Sequence, residues 1–382
     1  MAYYLQLGFL ILYSFVMLTL VIYGLHRYHL IYLYYRNRRN RPTLKERFTD
    51  LPRVTLQLPM YNEQLVARRI IEKCCEIDYP VDRFHIQVLD DSTDETVQIA
   101  SETVERMKAR GHDIVYIHRE NREGYKAGAL DAGLKSATGE FVAIFDADFV
   151  PEPDIIQRMI HYFTDPQVAV VQSRWGHINR GNSLLTETQA ILLDGHFVIE
   201  HGGRNQSGCF MNFNGTAGIW RKCAIDDAGG WQHDTLTEDL DLSYRAQMKG
   251  WKFIYLPDVI SPAELPPEME AFKQQQFRWA KGTAQTAIKL LPKLLRSKLP
   301  LHVKVQGFFH LTSIFIYVIM VVLTLMMFPA LWIKVNPLEG HEWLAVALDL
   351  SLFVLATCAA STFYICSQRE LFRNWRDKMK YL

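Results

Sequence analysis

The sequence predicts an α/β domain with a mainly parallel sheet, set between membrane-spanning helices. Three observations carry this. Across residues 51–265, short apolar runs alternate with segments of helical period. Three long runs outside that region are apolar enough to cross a bilayer. Polar clusters fall directly after several of the short apolar runs, where the strands of a parallel sheet end and ligands bind.

Residues 1–35 form the first span. Residues 4–25 carry no charge and the apolar character continues to 35. A membrane span is expected here in preference to a cleaved leader, because the run is long, lacks a basic start and has no small-residue cleavage site. A linker at 36–50 opens with Arg36, Arg38, Arg39 and Arg41. Strands are expected at 53–59, 85–90, 113–118, 141–145 and 168–172. Helices are expected at 63–77, with Asn62 as N-cap, at 93–110 and at 125–137, stopped by Gly139. Residues 266–304 are amphipathic: Leu290, Leu291, Leu294 and Leu295 alternate with Lys289, Lys293, Arg296 and Lys298. That pattern suits helices in the cytoplasmic membrane interface, or a packed surface helix. Residues 305–333 form a second span and 343–366 a third, which contains Asp349. A lone carboxylate costs about 3 kcal/mol at mid-membrane, so Asp349 is expected to face other helices. Basic residues flank the middle region and the tail at 367–382, while the link between the last two spans is nearly free of them. By the positive-inside rule the N-terminus lies outside and both the middle region and the tail are cytoplasmic.

Charge is balanced, with 42 Lys+Arg against 41 Asp+Glu. No excess of positive charge is available to neutralise phosphates, so nucleic acid is excluded as a partner. The six cysteines, at 74, 75, 209, 223, 358 and 366, make no CxxC pair. They read as reduced packing residues in a chain whose soluble part faces a reducing compartment, not as a zinc site.

Four clusters could carry chemistry. Asp90-Asp91-Ser92 follows the second strand and reads either as a helix N-cap or as a ligand site. Asp146-Ala147-Asp148 follows the fourth. Spacing of two on extended backbone turns both carboxylates to one side, where hard oxygens suit Mg²⁺ or Mn²⁺; two aspartates can also simply end a strand. Thr237-Glu238-Asp239 precedes a helical segment and reads as a cap or as the bearer of a general base. Gln275-Gln276-Phe277-Arg278-Trp279 lies just before the second span. It reads as an interfacial anchor, or as a guanidinium for diphosphate beside an indole for a sugar face.

Taken in order, DDS, DxD, TED and QxxRW between membrane helices resemble the family 2 glycosyltransferases of the GT-A (Rossmann-like) fold. The wording is most similar to the cellulose-synthase-like A and C proteins, which include glucomannan 4-β-mannosyltransferases, and their bacterial relatives. The matching text includes Gln57-Leu-Pro-Met-Tyr-Asn-Glu63, Gly124-Tyr-Lys-Ala-Gly128, Phe213-Asn-Gly-Thr-Ala-Gly218 and Gly229-Gly-Trp231, within residues 53–282.

This resemblance implies an inverting, metal-dependent hexosyltransferase forming a β-linked glycan from UDP-glucose, GDP-mannose or GDP-glucose, with Mg²⁺ or Mn²⁺ as cofactor. It implies that Pro59, Tyr61 and Glu63 line the base and ribose pocket, that Asp91 holds the base or ribose, and that Lys126 approaches the nucleotide. Asp146 would contact donor or metal, Asp148 would bind the metal, and Asp239 would be the catalytic base. Gln275 and Arg278 would steady the diphosphate. Asn214, Gly215, Thr216, Glu238 and Trp279 would meet the acceptor. The alternative acceptor is a membrane lipid glycosylated once; a non-catalytic scaffold is disfavoured by the intact aspartates. The family carries more C-terminal spans, so the sequence is expected to be truncated, or to need a homo-oligomer or export partner. The expected location is a bacterial inner or plasma membrane, or a Golgi-type membrane, with the catalytic domain in the cytosol.

Overall fold

A computed structural model describes residues 2–335 and 342–372. Residues 336–341 and the tail beyond 372 lie outside the described residues.

Helix α1 (Ala2–Asn37) is unbroken. At 1.5 Å per residue it is about 54 Å long, well beyond a hydrocarbon core of about 30 Å. In its last turns Leu30 and Tyr34 pack on Val198, Ile199 and Phe363.

Strand β1 (Val54–Met60) leads to α2 (Ala67–Cys75), and β2 (Phe84–Asp90) to α3 (Thr96–Ala109). Strand β3 (Ile114–His118), α4 (Tyr125–Ser136) and β4 (Phe141–Ile144) follow. The expected cap at Asn62 does not form: Val66 stands at the cap of α2, without a side-chain bond. Asn62 instead takes φ +56°, a conformation that its short polar side chain tolerates. Its N–H donates to Ser92 Oγ at 2.8 Å and its Oδ1 accepts from Thr93 N–H at 3.0 Å. The loops after β1 and β2 are thus tied together.

After α5 (Ile155–Ile160) comes β5 (Val168–His177), twice its expected length. Helix α6 (Leu184–Asp194) passes into a seven-residue π-helical stretch (Gly195–His201) and then α7 (Gly202–Gln206). Strand β6 (Gly218–Arg221), α8 (Lys222–Asp227), α9 (Glu238–Met248) and β7 (Lys252–Ala263) complete the α/β domain.

The seven strands form one sheet in the order β3-β2-β1-β4-β6-β5-β7. β1 is parallel to β2 and β4, β2 to β3 and β5 to β7; β6 alone runs antiparallel, between β4 and β5. Strand order reverses between β1 and β4, which opens a crevice at their C-terminal ends. The 61–63 and 146–148 segments emerge on either side of it. Ile70, Ile71, Val88, Val104, Phe141 and Ile156 are fully buried around the sheet, each contributing about 1.5–3 kcal/mol.

The 28-residue α10 (Met269–Arg296) carries the QxxRW motif. The apolar run at 305–333 is two helices, α11 (Leu301–Thr312) and α12 (Phe315–Val335), with a break at Ser313-Ile314. The reason lies in two uncharged polar residues that counted as apolar-compatible. Gln306 and His310 are buried and bonded to His26 at 3.0 Å and to Tyr244 Oη at 2.8 Å. Helix α11 therefore packs on protein, and the candidate span begins at Phe315.

Helix α13 (Glu342–Leu371) holds Asp349, which accepts a hydrogen bond from Tyr13 Oη of α1 at 3.2 Å, so it faces another helix as expected. Among the described residues three helices, with stretches Tyr4–Asn37, Phe315–Ile333 and Asp349–Leu371, are long and apolar enough to cross a membrane. Farther along α13, Gln368 bonds Asp194 at 3.0 Å and Arg180 at 2.7 Å, fastening the helix to the α/β domain.

Candidate active site

The site is built around one left-handed glycine. Gly215 has φ +78°, and its carbonyl accepts from Lys126 Nζ at 2.9 Å. A Cβ on this residue would stand 3.1 Å from Asp239 Oδ2 and 3.4 Å from Lys126 Nζ. Only a glycine lets backbone come so close to both groups. The next residue, Thr216, accepts at its Oγ1 from the Asp146 N–H at 2.8 Å. Lys126 forms a short ion pair with Asp146. The 214–216 turn therefore joins the loop after β4, the first turn of α4 and the first turn of α9.

Asp239 sits in that first turn of α9, with its Oδ1 accepting the Leu240 N–H at 2.7 Å. α10 closes over it. Thr237 Oγ1 and Thr286 Oγ1 are 3.1 Å apart, and Gln285 Oε1 accepts from Leu236 N–H at 3.0 Å. Gly282 makes this approach possible, since a Cβ there would lie 2.7 Å from the Thr237 nitrogen. Gln285, Thr286 and Gly282 are seating residues that the motif reading did not single out.

Five carboxylates, Glu63, Asp146, Asp148, Glu238 and Asp239, crowd this cleft. Burial, then Asp146 and Glu63, push Asp148 up to about 7. Burial, then Asp146, push Glu63 up to about 7 against the opposing pull of Arg278. Burial, then Glu238, push Asp239 up to about 7. Glu238 is raised for the same first reason. Burial alone would lower Lys126, but Asp146, Glu238 and Asp239 outweigh it and hold it charged, above its ordinary value.

Such crowding favours a cation. Asp148 with Asp146, as hard oxygen donors, fits a divalent ion that takes one or two carboxylates and completes its shell with phosphate oxygens and water. Among the described residues no group of three or more His, Cys, Asp or Glu forms a self-sufficient metal cage. Of these two, Asp146 already holds Lys126, and Asp148 is the one with no ion pair among the described residues.

The expected residues thus separate into two groups. Glu63, Lys126, Asp146, Asp148, Glu238, Asp239 and Arg278 act on one another electrostatically. Asn214, Asp239, Gln275 and Trp279 line one cavity. Asp91 differs. It is 5% exposed and wholly engaged by Arg119, whose Nε reaches Oδ1 at 2.7 Å while Nη2 pairs with Oδ2. The N-cap reading does not hold, since α3 begins at Thr96 with Glu95 at its cap and no side-chain bond there. Arg119 also donates to the carbonyls of Glu123 and Tyr125, which orders the loop that presents Lys126. Arg119 was not foreseen; a lone Arg directly after β3, beside a parallel strand ending in two aspartates, was the available signal. Pro59 lies in β1 opposite Leu89. The face of Tyr61 carries the Arg122 guanidinium, 3.1 Å from its centroid.

The cavity holds about 1060 Å³. From Asp239 and Trp279 it passes His196, Glu200 and Arg27 and continues between α1, α12 and α13 to Tyr13, Thr324 and Asp349. Asp239 and Trp279 thus share one space with the long apolar helices.

The chain is 46% identical over 255 residues to glucomannan 4-beta-mannosyltransferase 2 of Arabidopsis thaliana, covering 65% of this chain and 48% of that protein. It is 44% identical over 252 residues to glucomannan 4-beta-mannosyltransferase 1 of Oryza sativa subsp. japonica, with the same coverage. It thus spans about half the length of these curated relatives. Among solved structures, the mannosyltransferase PcManGT from Pyrobaculum calidifontis, in complex with GDP-Man and Mn²⁺, superposes with a TM-score of 0.62. That match covers 94% of this chain and 99% of that one at 20% identity. S. aureus TarS 1-349 in complex with UDP gives 0.51 at 16% identity, covering 83% and 91%. Both share the fold. Residues 52–282 match the model described as glycosyltransferase like family 2, and the chain belongs to that family.

Proposed function

We propose that this chain transfers a hexosyl unit from a nucleotide sugar to a glycan hydroxyl with inversion, building a β-linked polysaccharide at the cytoplasmic face of a membrane. The observation that carries this reading is the gathering of Lys126 and Asp146 on the Gly215-Thr216 turn beside Asp239, which lines a cavity that also holds Trp279 and runs between the apolar helices. GDP-mannose is the favoured donor, because the curated relatives named above are mannosyltransferases and the PcManGT structure contains GDP-Man.

Trp279 offers an apolar ring to the acceptor sugar, whose C–H face packs on it. Asp239 accepts the proton of the attacking hydroxyl, and its raised affinity for protons suits a base working near neutrality. Lys126 and Arg278 place positive charge where the departing diphosphate becomes more negative, which favours the transition state over the ground state. A Mn²⁺ or Mg²⁺ ion at Asp148 would add Lewis-acid neutralisation of the same diphosphate. Direct attack by the acceptor hydroxyl, with one base taking its proton, is a single displacement that requires no nucleophilic carboxylate, so an α-linked donor yields a β-linked product.

The experiment is incubation of the membrane-embedded chain with labelled GDP- and UDP-sugars and Mn²⁺, followed by product sizing and linkage analysis. Metal-dependent growth of a β-linked chain is expected. A second reading, one sugar added to a membrane lipid, is favoured by the apolar side chains of Leu20, Met320, Met327 and Phe353 along the cavity. It predicts a lipid-soluble monosaccharide product and no polymer.

A further inference from the structure

The π-helical stretch Gly195–His201 plays no part in the motifs, yet two of its side chains grip the segment that forms the acceptor turn. His196 Nε2 lies 2.9 Å from Asn214 Nδ2, and His201 Nε2 lies 3.3 Å from Asn212 Oδ1. π-Helices are rare and cluster at functional sites. This one brings His196, Glu200 and His201 to one side of the turn.

The hydrogen bonds place a proton on Nδ1 of the ring. His196 Nδ1 is 3.0 Å from Glu200 Oε2. An ionised carboxylate only accepts, so Nδ1 carries the hydrogen. Glu200 is ionised: burial alone would raise it, but Arg204 and His196 outweigh burial and hold it well below the usual carboxylate range. Arg27 of α1 adds a contact at 4.0 Å. In the neutral ring Nε2 then presents a lone pair, and Asn214 must offer its NH₂. The amide orientation follows, and Asn214 Oδ1 is left buried with no hydrogen-bond partner. Asn214 and His196 both line the cavity that holds Asp239 and Trp279.

Every other residue of the turn has its own fastening. Phe213 N–H donates to Ser243 Oγ of α9 at 2.8 Å, Asn214 N–H to Gln172 at 3.1 Å, Gly215 O accepts from Lys126, and Thr216 bonds Asp146. The Asn214 side chain is held through His196.

We propose that His196 is a positioning residue for sugar transfer: held by Glu200 in the Nδ1–H tautomer, it aims the Asn214 amide so that its free oxygen receives a hydroxyl of the acceptor sugar beside Asp239. The proposal rests on the transferase reading above and deepens it by assigning the second layer of the acceptor site.

The test compares three substitutions in the full chain, assayed with GDP-mannose, Mn²⁺ and a short β-manno-oligosaccharide. Gln places its amide oxygen near the position of Nε2 and preserves the bond to Asn214. Asn places its amide near Nδ1 and preserves only the bond to Glu200. His196→Ala and His196→Asn are expected to lower kcat about 10- to 100-fold while the donor KM moves less than about 3-fold. His196→Gln is expected to stay within about 3-fold of wild type. Wild-type turnover in His196→Ala, or activity retained by Asn and lost by Gln, overturns the proposal. A readout free of turnover separates its failure from failure of the transferase reading. Histidine-¹⁵N NMR should show a signal with protonated Nδ1 and unprotonated Nε2 that vanishes in His196→Gln. The opposite tautomer for that signal overturns the assignment whether or not transfer is observed.

Discussion

Replacing Gly215 with alanine places a methyl group between the two groups that the mechanism most needs to keep apart and aligned. The new carbon would stand 3.1 Å from Asp239 Oδ2, 3.4 Å from Lys126 Nζ and 3.7 Å from Asp239 Cγ. At 3.1 Å the carboxylate must retreat by a few tenths of an ångström. The backbone at φ +78° adds about 1–2 kcal/mol of strain for an L-residue. Since about 1 Å of misplacement can cost about 100-fold, a shift of this size with a methyl beside the base should lower kcat about 10-fold. Gly208→Ala is the matched control: it has φ +73° and nothing within 4 Å of its Cβ position. Both variants should lose similar stability in thermal unfolding, and only Gly215→Ala should lose transfer in the labelled-donor assay. Equal turnover in the two variants, or wild-type kcat in Gly215→Ala, would refute the claim that this turn and Asp239 are in functional contact.

Other expectations follow from the same geometry. Asp239→Asn should abolish transfer while donor binding, measured by nucleotide titration, stays nearly intact, because the amide cannot take the acceptor's proton. Arg119→Ala should cost about 3–5 kcal/mol in chemical denaturation, because it strands the buried Asp91 carboxylate. Its effect should also reach Lys126 through the freed loop, raising the donor KM. Glu63 and Asp148 are both raised to about 7 in the ion-free protein, so the folded state binds more protons than the unfolded chain between about pH 4 and 7. Their contribution to stability is present at low pH and is lost as pH rises through about 7. Thermal unfolding without metal should therefore show lower stability at about pH 8 than at about pH 6, and Mn²⁺ with GDP should stabilise more at the higher pH.

The carboxylate clusters were legible because chemistry at the ends of parallel strands leaves local marks: DxD after β4, TED at the start of α9, and QxxRW on an amphipathic helix. Asp91 could be found but not its state, since its partner Arg119 lies 28 residues away and only the alignment of β2 with β3 brings them together. Strand β7 escaped notice because Pro257 and Pro262 argue against a central strand; it lies at the sheet edge, where proline is tolerated. β6 has four residues, too few to show a period. The split of the 305–333 run turned on Gln306 and His310, whose buried partners no hydropathy window sees. The π-helical anchor of the 214–216 turn was invisible for a related reason: His196 and Glu200 at i,i+4 look like any helical surface pair until Asn214 is set beside them.

Transfer by the wild-type chain, measured side by side with Asp148→Ala in the same membranes, addresses the central claim most directly. With labelled GDP-mannose and Mn²⁺, the account predicts β-linked product from wild type, none when the ion is chelated, and weakened metal-dependent donor binding in Asp148→Ala. Donor turnover by wild type that is indifferent to chelation and to the loss of Asp148 would contradict it.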